Sequence, residues 1–275
     1  MDPSVTLGFI GGGNAAEFML HGLSAAGYPA GRALVADANP DRCAVLRDVL
    51  GIRIAQDNQQ VLNECDVVVL AVKPQVLEEV LEELNVSNRS TAPLVVSVAA
   101  GVRTGMIQQL LNPSWPVARV MPNTPATLGA GISGVFVTPN ATEAQRQIAF
   151  DFGRAAGEAV WIPDEALMDV VTAVSGSGPA YYFLLTEVLQ RTAEELGLDP
   201  NTAARLAGQT ALGAARMIQE SELSPAALRE RVTSPGGTTE RALEILGVGG
   251  FESLFQEAVV GAAIRGRELA DDLES

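Results

Sequence analysis

The first part of this chain alternates short apolar runs with amphipathic stretches, and this alternation constrains the fold more than any other feature. Apolar runs rich in branched residues predict strands at residues 5–10, 33–36, 67–72, 94–98, 117–120 and 134–137. The segments between them predict helices at residues 14–26, 40–50, 75–84, 104–111 and 143–156. Strands that alternate with helices in this way are typical of a parallel sheet with helices on both faces.

The strand pattern stops near Pro163. A last short apolar run at residues 159–162 ends there, and the later segments predict helices at residues 165–174, 179–196, 201–220, 239–246 and 251–273. A further short helix opens at Ser224-Pro225, because serine is a favoured N-cap and proline a favoured first helical residue. The pattern therefore predicts an α/β domain over residues 1–163 and an all-α domain over residues 164–275.

Two of the later helices carry faces that need cover. The first has a stripe of small residues at Ala203, Ala204, Ala207, Gly208, Ala211, Ala214 and Ala215. The last has an apolar face at Leu254, Phe255, Ala258, Val259, Ala262 and Ala263. The rest of the chain is one possible cover. A helical domain of about 110 residues forms only a small core, however, so burial against a second copy in a homodimer is expected at least equally.

Charge and composition limit the partners. With 18 Lys+Arg against 33 Asp+Glu, the formal net charge is −15. That field repels phosphate backbones and acidic lipid surfaces, so neither nucleic acid nor a membrane is an expected partner. A small anionic metabolite remains possible, provided that local dipoles or a few cations hold it.

Cysteine usage and the first residues indicate the compartment. Cys43 and Cys65 provide neither a disulfide framework nor the spacing of metal ligands, so no metal site is expected. The chain enters its first strand directly from Met1-Asp2-Pro3-Ser4, without a basic and apolar signal region. A cytoplasmic protein is the expectation.

A glycine-rich loop links the first predicted strand to the first predicted helix. Its sequence is Gly8-Phe9-Ile10-Gly11-Gly12-Gly13-Asn14-Ala15-Ala16, the dinucleotide-binding fingerprint with alanine in the third small position. Gly11 permits the tight turn, Gly13 lets a pyrophosphate approach the backbone, and Ala16 lets the helix pack closely on the strand. The loop predicts a Rossmann-like domain, although a glycine turn without a ligand is the alternative.

Asp37 follows the second predicted strand, close to where an acidic residue accepts hydrogen bonds from the adenosine ribose of NAD. A 2′-phosphate would instead need a nearby arginine. The next residue is Ala38, and Arg42 on the following helix is the nearest candidate. Asp37 therefore favours NAD(H), while a simple role in the turn before Pro40 stays an equal alternative.

Three further strand ends carry unusual loops, and ligands of open α/β sheets bind beyond the carboxyl ends of strands. The loops are Lys73-Pro74, Ala99-Ala100-Gly101 and Met121-Pro122-Asn123-Thr124-Pro125. Small and proline-containing loops let the backbone reach a flat ring, and Asn123 offers a donor and an acceptor for a carboxamide. Lys73 has a solvated surface cation as its alternative role.

The helical domain contains two glycine turns before helices. One runs Val174-Ser175-Gly176-Ser177-Gly178-Pro179-Ala180-Tyr181, and the other Thr233-Ser234-Pro235-Gly236-Gly237-Thr238-Thr239-Glu240. Backbone N–H groups that converge at a helix N-terminus form an anion-binding concavity, which suits a carboxylate. Either turn taken alone is also compatible with a tight link between helices.

Together these motifs resemble, in content and order, those of the pyrroline-5-carboxylate reductase family. The matching segments, over roughly residues 5–269, are Gly8-Phe9-Ile10-Gly11-x-Gly13, Ala71-Val72-Lys73-Pro74, Ala99-Ala100-Gly101, Met121-Pro122-Asn123-Thr124-Pro125, Ser175-Gly176-Ser177-Gly178-Pro179-Ala180-Tyr181 and Ser234-Pro235-Gly236-Gly237-Thr238-Thr239. The resemblance implies reduction of 1-pyrroline-5-carboxylate to L-proline with NADPH or NADH, the last step of proline biosynthesis. It also implies a helical domain that dimerises, with possible assembly into a ring of dimers.

The resemblance also implies roles for single residues. The residues implied to bind the cofactor are Gly11, Gly12, Gly13, Asn14, Ala16, Asp37, Asn58, Ala71, Val72, Lys73, Pro74, Ala99, Ala100 and Asn123. The residues implied to bind the substrate are Val174, Ser175, Ser234, Gly237, Thr238 and Thr239, with the Thr239 hydroxyl near the ring nitrogen as the candidate catalytic group. The resemblance implies NADP(H) as the cofactor, but Asp37-Ala38 departs from NADPH-using relatives, which commonly carry arginine or serine there, so NAD(H) is the alternative.

Other functions remain to be weighed. Hydride transfer to a protonated imine requires positioning of two rings rather than an activated nucleophile, so His21, inside the first helix, is not needed as a catalyst. A reductase of another small carboxylated imine is one alternative. A β-hydroxyacid dehydrogenase would need a lysine in its second domain, and no lysine follows Lys73. A dinucleotide-sensing module without activity is the alternative from a different class.

Overall fold

The computed structural model describes residues 1–89 and 91–274, apart from the side chain of Asn88. The chain forms two compact units, Met1–Ser177 with Ala262–Ser275, and Gly178–Gly261. Residues 164–177 and 262–274, which the sequence pattern assigned to the second domain, thus pack with the first unit. The domain boundary near Pro163 itself stays a prediction.

The first unit is built on one sheet of eight strands. The strands are β1 Leu7–Ile10, β2 Ala33–Ala36, β3 Arg53–Ile54, β4 Val67–Leu70, β5 Leu94–Ser97, β6 Val117–Met121, β7 Gly131–Val137 and β8 Gly157–Trp161, in the order β3-β2-β1-β4-β5-β6-β7-β8. The chain runs outward from β1 to β3 and then returns to the other side of β1 with β4. This reversal is the topological switch point at which open α/β sheets bind ligands.

The sheet departs from the predicted parallel pairing at one pair of strands. Strands β1 to β6 pair in parallel, but β7 is antiparallel to β6, with Ala118 opposite Val137. A parallel connection needs a crossover of a dozen or more residues. Between β6 and β7 the chain has only a 3₁₀ turn at Thr124–Leu128, followed by Gly129 in the left-handed conformation, so it reverses direction instead.

Helices cover both faces of this sheet. They are α1 Asn14–Ala25, α2 Pro40–Leu50, α3 Asn58–Glu64, α4 Pro74–Glu82, α5 Thr104–Leu110, α6 Glu143–Arg154 and the single turn α7 Met168–Val171. The prediction of an α/β domain is confirmed, and the helix predicted at residues 40–50 has the same bounds as α2. Helix α3 and the two-residue strand β3 were not predicted.

Two neighbouring residues of β1 pack against helices in different ways. Phe9 and Phe152 are fully buried, with ring centroids 6.1 Å apart. A Cβ added at Gly8 would lie 2.5 Å from Val61 and 2.6 Å from the sulfur of Cys65, so glycine lets α3 pack on β1. Burial raises the pKa of the Cys65 thiol to about 12, so it stays protonated at neutral pH.

The second unit is entirely helical over its described residues. It contains α8 Gly178–Glu195, α9 Pro200–Glu220, α10 Pro225–Arg231, α11 Thr238–Val248 and the first half of α12 Phe251–Leu273. Ser224 caps α10 as predicted, accepting a hydrogen bond from the N–H of Ala227. Within residues 1–89 and 91–274, no helix is both long and apolar enough to cross a membrane.

The surface of the second unit is unusually apolar within the single chain. Phe183 is 67 % exposed and Leu254 is 66 % exposed, and Leu206 and Ile245 are also mainly exposed. Large apolar side chains exposed on several helices of one unit point to an interaction site. The helices of this unit therefore have faces that a single chain leaves uncovered.

The close approach of α1 to the chain after α6 provides a test of the fold. A Cβ added at Gly22, inside α1, would lie 1.8 Å from the carbonyl oxygen of Ala155. We expect Gly22→Ala to lower the free energy of unfolding by about 2 kcal/mol or more, because backbone has to move to relieve the overlap. The midpoint of urea unfolding at fixed protein concentration measures the effect.

The matched control is Gly105→Ala in α5, where an added Cβ meets nothing within 4 Å. Alanine should leave the midpoint unchanged or raise it slightly, since it restricts the unfolded chain. Equal midpoints for the two variants would contradict this close packing of α1.

Candidate active site

The loops singled out in the sequence meet at one edge of the sheet. The N–H of Gly11 donates to the carbonyl of Ala36 at 2.8 Å, and the N–H of Ala71 donates to the carbonyl of Ile10 at 2.8 Å. The N–H of Val98 donates to Leu70 at 3.2 Å. The carboxyl ends of β2, β1, β4 and β5 are therefore adjacent, and they place the glycine loop at the switch point of the sheet.

The glycine loop has the geometry of a phosphate-binding loop. Gly11 has a φ of +96°, and a Cβ there would lie 2.8 Å from the carbonyl carbon and oxygen of Ala71. Gly13 is the N-cap of α1 and has open space around the position of a Cβ. Ala16, in the first turn of α1, is fully buried. The exposed Asn14 begins α1, so the first-turn N–H groups lie at an open helix N-terminus, the kind of position at which anions bind.

Asp37 connects the end of β2 to the glycine loop. One carboxylate oxygen accepts a hydrogen bond from the N–H of Gly12 at 2.6 Å, and the other accepts from the N–H of Asn39 at 2.7 Å. Asn39, rather than Asp37, provides the side-chain cap of α2. Asp37 thus does stabilise the turn, and each of its oxygens retains a second lone pair that a ribose hydroxyl can use.

Arg42, the nearest arginine to Asp37 in the sequence, is already engaged. Its Nε donates to the carbonyl of Gly12, and its guanidinium forms an ion pair with Glu17 of α1. The ion pair is partly buried, because the arginine and glutamate side chains are 23 % and 34 % exposed. Arg42 therefore ties α2 to α1 behind the glycine loop.

The end of β4 leads into α4 with little side-chain bulk. Ala71 and Val72 are half-buried, and Lys73 is the N-cap of α4, with Pro74 as its first residue. Lys73 is exposed and forms no ion pair with the rest of the described chain.

Asn58 is half-buried at the start of α3, where Asp57 caps the helix by accepting from the N–H of Gln60.

The loop after β5 is held in a tight turn. Ala99 and Ala100 are half-buried. Gly101 has a φ of +76°, and a Cβ there would lie 3.6 Å from Leu269 and 3.5 Å from the backbone nitrogen of Ala270, both in α12. The final turns of α12 therefore pack directly behind this loop.

The amide of Asn123 makes two hydrogen bonds within the chain. Its Oδ1 accepts from the N–H of Ile132 at 3.0 Å, and its Nδ2 donates to the carbonyl of Ser175 at 3.1 Å. The predicted contact with a nicotinamide carboxamide stays a prediction. What the structure brings together is the loop after β6 and the segment that carries Ser175.

That segment is a π turn, where the sequence pattern predicted a regular helix. A 3₁₀ turn at Glu165–Leu167 leads through α7 into a π turn at Thr172–Gly176. Val174 is 59 % exposed and Ser175 is half-buried. The glycine-rich sequence after it signalled an irregular backbone but did not identify the π geometry.

In the second unit, the predicted glycine turn opens a helix. Gly236 has a φ of +70°, and Gly237 is the N-cap of α11. Thr238 is the first helical residue and Thr239 the second. Ser234 and Thr238 are exposed and Thr239 is half-buried. Glycine brings no capping side chain, so the first-turn N–H groups are free to bind an anion.

Glu240 is a residue of this turn that was not among the predicted site residues. Its carboxylate accepts a hydrogen bond from the N–H of Gly236 at 2.7 Å. Its position in the first turn of a helix, where acidic residues are favoured, was the available signal. The chain thus places a carboxylate of its own against this turn, as expected for N–H groups that attract anions.

Comparison with known proteins agrees with this arrangement of motifs. Residues 165–269 match the family model described as pyrroline-5-carboxylate reductase dimerisation, and residues 6–101 match the one described as NADP oxidoreductase coenzyme F420-dependent. The pyrroline-5-carboxylate reductase of Pseudomonas aeruginosa is 43 % identical over 267 residues, 97 % of each chain.

Solved structures show the same likeness. A pyrroline-5-carboxylate reductase from Coxiella burnetii is 42 % identical, with a TM-score of 0.91 over 97 % of this chain and 99 % of that one. The Plasmodium falciparum enzyme with NADP bound is 25 % identical, with a TM-score of 0.86 over 98 % of this chain and 99 % of that one. The chain therefore belongs to the pyrroline-5-carboxylate reductase family, oxidoreductases that reduce the C=N bond of 1-pyrroline-5-carboxylate to give L-proline.

Proposed function

We propose that this enzyme reduces 1-pyrroline-5-carboxylate with NADH in preference to NADPH, with the dinucleotide on the glycine loop of the first unit and the substrate carboxylate on the turn before α11. The observation that carries the proposal is the open N-terminus of α1 at Gly13, bordered by the carboxylate of Asp37. The first feature fits a pyrophosphate, and the second selects between the two cofactors.

The pyrophosphate would be held by backbone groups. Gly13 and Asn14 begin α1, so their N–H groups and the positive end of the helix dipole face it. Gly11 and Gly12 shape the turn, and Ala16 keeps the helix close to the sheet. Around the remainder of the dinucleotide we place Asn58 on the adenosine side, and Ala71, Val72, Lys73, Pro74, Ala99 and Ala100 along the cleft.

Charge beside the adenosine ribose supports the choice of NADH. A 2′-phosphate near Asp37 would face a fixed negative charge, at a cost of about 1 kcal/mol at 4 Å in water and about 4 kcal/mol near a protein surface. Arg42 does not offset this charge, because it pairs with Glu17. A ribose hydroxyl, in contrast, can donate to the carboxylate.

Two groups of residues would hold the substrate. The N–H groups at Gly237, Thr238 and Thr239, with the hydroxyl of Ser234, suit the carboxylate. Val174 and Ser175 suit the pyrroline ring. The protein would then bind the anionic end through backbone dipoles, which a chain with a net charge of −15 can supply locally.

A bound reduced nicotinamide supplies the hydride that adds to the carbon of the C=N bond. The chain's own contribution is to hold the two reacting rings in the orientation that hydride transfer needs. Such positioning lowers the barrier by several kcal/mol in comparable reactions. Within the described residues the hydroxyl of Thr239 has no hydrogen-bond partner, so it is available to the ring nitrogen.

The apolar helices of the second unit support assembly of the enzyme. We propose a homodimer formed through this unit, the part of the chain that overlaps most of the matched dimerisation model. A ring of dimers is a further possibility that the exposed faces would permit. The cytoplasmic location expected from the sequence stays a prediction.

Steady-state oxidation of NADH and of NADPH, each with 1-pyrroline-5-carboxylate, tests the proposal. We expect L-proline as the product of both reactions and a higher kcat/KM with NADH. Turnover restricted to another cyclic imine would overturn the assigned substrate. A clear preference for NADPH would overturn the role given to Asp37.

The role of Asp37 can be tested by substitution. Asp37→Ser removes the negative charge and keeps an acceptor for the N–H of Gly12, so we expect the NADPH to NADH ratio of kcat/KM to rise about tenfold. Asp41→Ser is the control, because it removes the same charge from an exposed position in the first turn of α2. An unchanged ratio for Asp37→Ser would restrict this residue to the turn.

Thr239→Ala tests the hydroxyl at the turn before α11. Backbone donors survive the change, so folding and dinucleotide affinity should persist. We expect kcat to fall about tenfold or more, as for a lost hydrogen bond to a charged or developing charged group. Thr239→Ser should recover most of the activity.

Thr202→Ala is the control for this substitution, since Thr202 lies in the first turn of α9. It should leave kcat unchanged. If Thr239→Ala also turned over at the unmodified rate with saturating substrate, the hydroxyl would have no part in the chemical step.

Assembly can be checked by light scattering. We expect at least a dimer of the 28.7 kDa chain at assay concentrations, because the apolar faces of α8, α9 and α12 need cover. A folded and fully active monomer would contradict the proposed interface.

A further inference from the structure

One backbone carbonyl in the helix that carries Ser175 lacks its usual hydrogen-bond donor. In an α-helix each carbonyl accepts from the N–H four residues later. For Ser175 that residue is Pro179, which has no N–H to donate. The carbonyl of Ser175 therefore needs a donor from elsewhere.

Asn123 supplies that donor. Its Nδ2 lies 3.1 Å from the carbonyl oxygen of Ser175, and its Oδ1 lies 3.0 Å from the backbone nitrogen of Ile132. A carbonyl only accepts and a backbone N–H only donates, so the two partners fix the orientation of the amide. Aspartate at this position would present an acceptor to both.

The carbonyl that lacks its usual donor lies within the π turn. The N–H of Ser177 donates to the carbonyl of Thr172 at 2.8 Å, a spacing of five residues. The hydroxyl of Ser175 donates to the carbonyl of Val171 at 2.9 Å. A Cβ at Gly176 would lie 2.8 Å from the terminal methyl of Met121, so this turn also packs against the strand that leads to Asn123.

The π turn decides where side chains point. One extra residue in a turn rotates all later residues of the helix by roughly 100° relative to an α-helix. Such turns persist only where surrounding contacts stabilise them. The contacts from Asn123 and Met121 are of this kind, and they come from the end of β6 and the loop after it.

We infer that Asn123 is a positioning residue: its amide replaces the donor that Pro179 lacks and thereby fixes the π turn that presents Val174 and Ser175. The inference rests on the proposed placement of the pyrroline ring against those two residues. Asn123 acts on substrate binding through the backbone of Ser175, rather than by contact with the dinucleotide.

Asn123→Ala and Asn123→Asp remove the donor, and the second keeps the size of the side chain and the acceptor for Ile132. We expect either variant to lower kcat/KM for 1-pyrroline-5-carboxylate about tenfold, mainly through KM, with an unchanged Kd for NADH measured by its fluorescence. Asn140→Ala is the matched control. The Nδ2 of Asn140 donates to the carbonyl of Ser114 at 2.9 Å, away from these loops, so its kinetics should not change.

A second substitution separates positioning from stability. Pro179→Ala restores an N–H at the position that an α-helix would use. In the Asn123→Ala background it should recover the thermal midpoint but not KM, because the turn can then close in α geometry. Recovery of both would show that Asn123 has a purely structural role.

Two other outcomes would also overturn the inference. A weaker Kd for NADH with an unchanged substrate KM would place Asn123 on the dinucleotide. Unchanged kinetics in Asn123→Asp would contradict a positioning role as well, even if Asn123→Ala failed to fold. In both cases the unmodified enzyme would still reduce 1-pyrroline-5-carboxylate, whereas failure of the proposed function would show in the unmodified enzyme itself.

Discussion

The approach of Gly11 to the carbonyl of Ala71 sets the geometry on which the rest of the first unit depends. A side chain at Gly11 would lie 2.8 Å from that backbone, so only glycine lets the chain turn at this point. The turn brings α1 back over the sheet with its N-terminus at the switch point between β1 and β4. The loops after β2, β4 and β5 then share one edge because their strands are in parallel register.

In the proposed site, backbone dipoles bind anions where the net charge of the chain is unfavourable. A formal charge of −15 opposes anionic ligands at long range, but salt screens such fields over about 8–10 Å. At contact distance the open first turns of α1 and α11 dominate, each behind a glycine N-cap. The carboxylates of Asp37 and Glu240 already accept hydrogen bonds from Gly12 and Gly236 in these loops, which shows how the N–H groups attract negative charge.

Local sequence predicted the parts of the fold that local chemistry determines. Asn39-Pro40 and Gly51 bracket α2, and the glycine loop was evident from its spacing. Strand β3 has two residues, too short to show a pattern, and the antiparallel β7 depends on the length of a connection rather than on its own residues. The faces predicted to need cover differ in outcome: Ala203 and Ala207 of the small-residue stripe are buried within the single chain, whereas Leu254 of the last helix stays exposed.

The candidate site was predictable to a similar extent. Motifs identified the loops, but Asp37 and Asn123 each have one partner far along the chain, Gly12 and Ser175, which lie 25 and 52 residues away. Only the fold brings such groups together. The π turn is less accessible still, because the carbonyl of Ser175 accepts from an asparagine 52 residues earlier and cannot accept from the proline four residues later.

A crystal structure of the enzyme with NADH would test cofactor binding at the glycine loop most directly. We expect pyrophosphate oxygens within hydrogen-bond distance of the N–H groups of Gly13 and Asn14, and a ribose hydroxyl on the carboxylate of Asp37. A pyrophosphate bound away from the N-terminus of α1, or a ribose without contact to Asp37, would contradict this mode of binding.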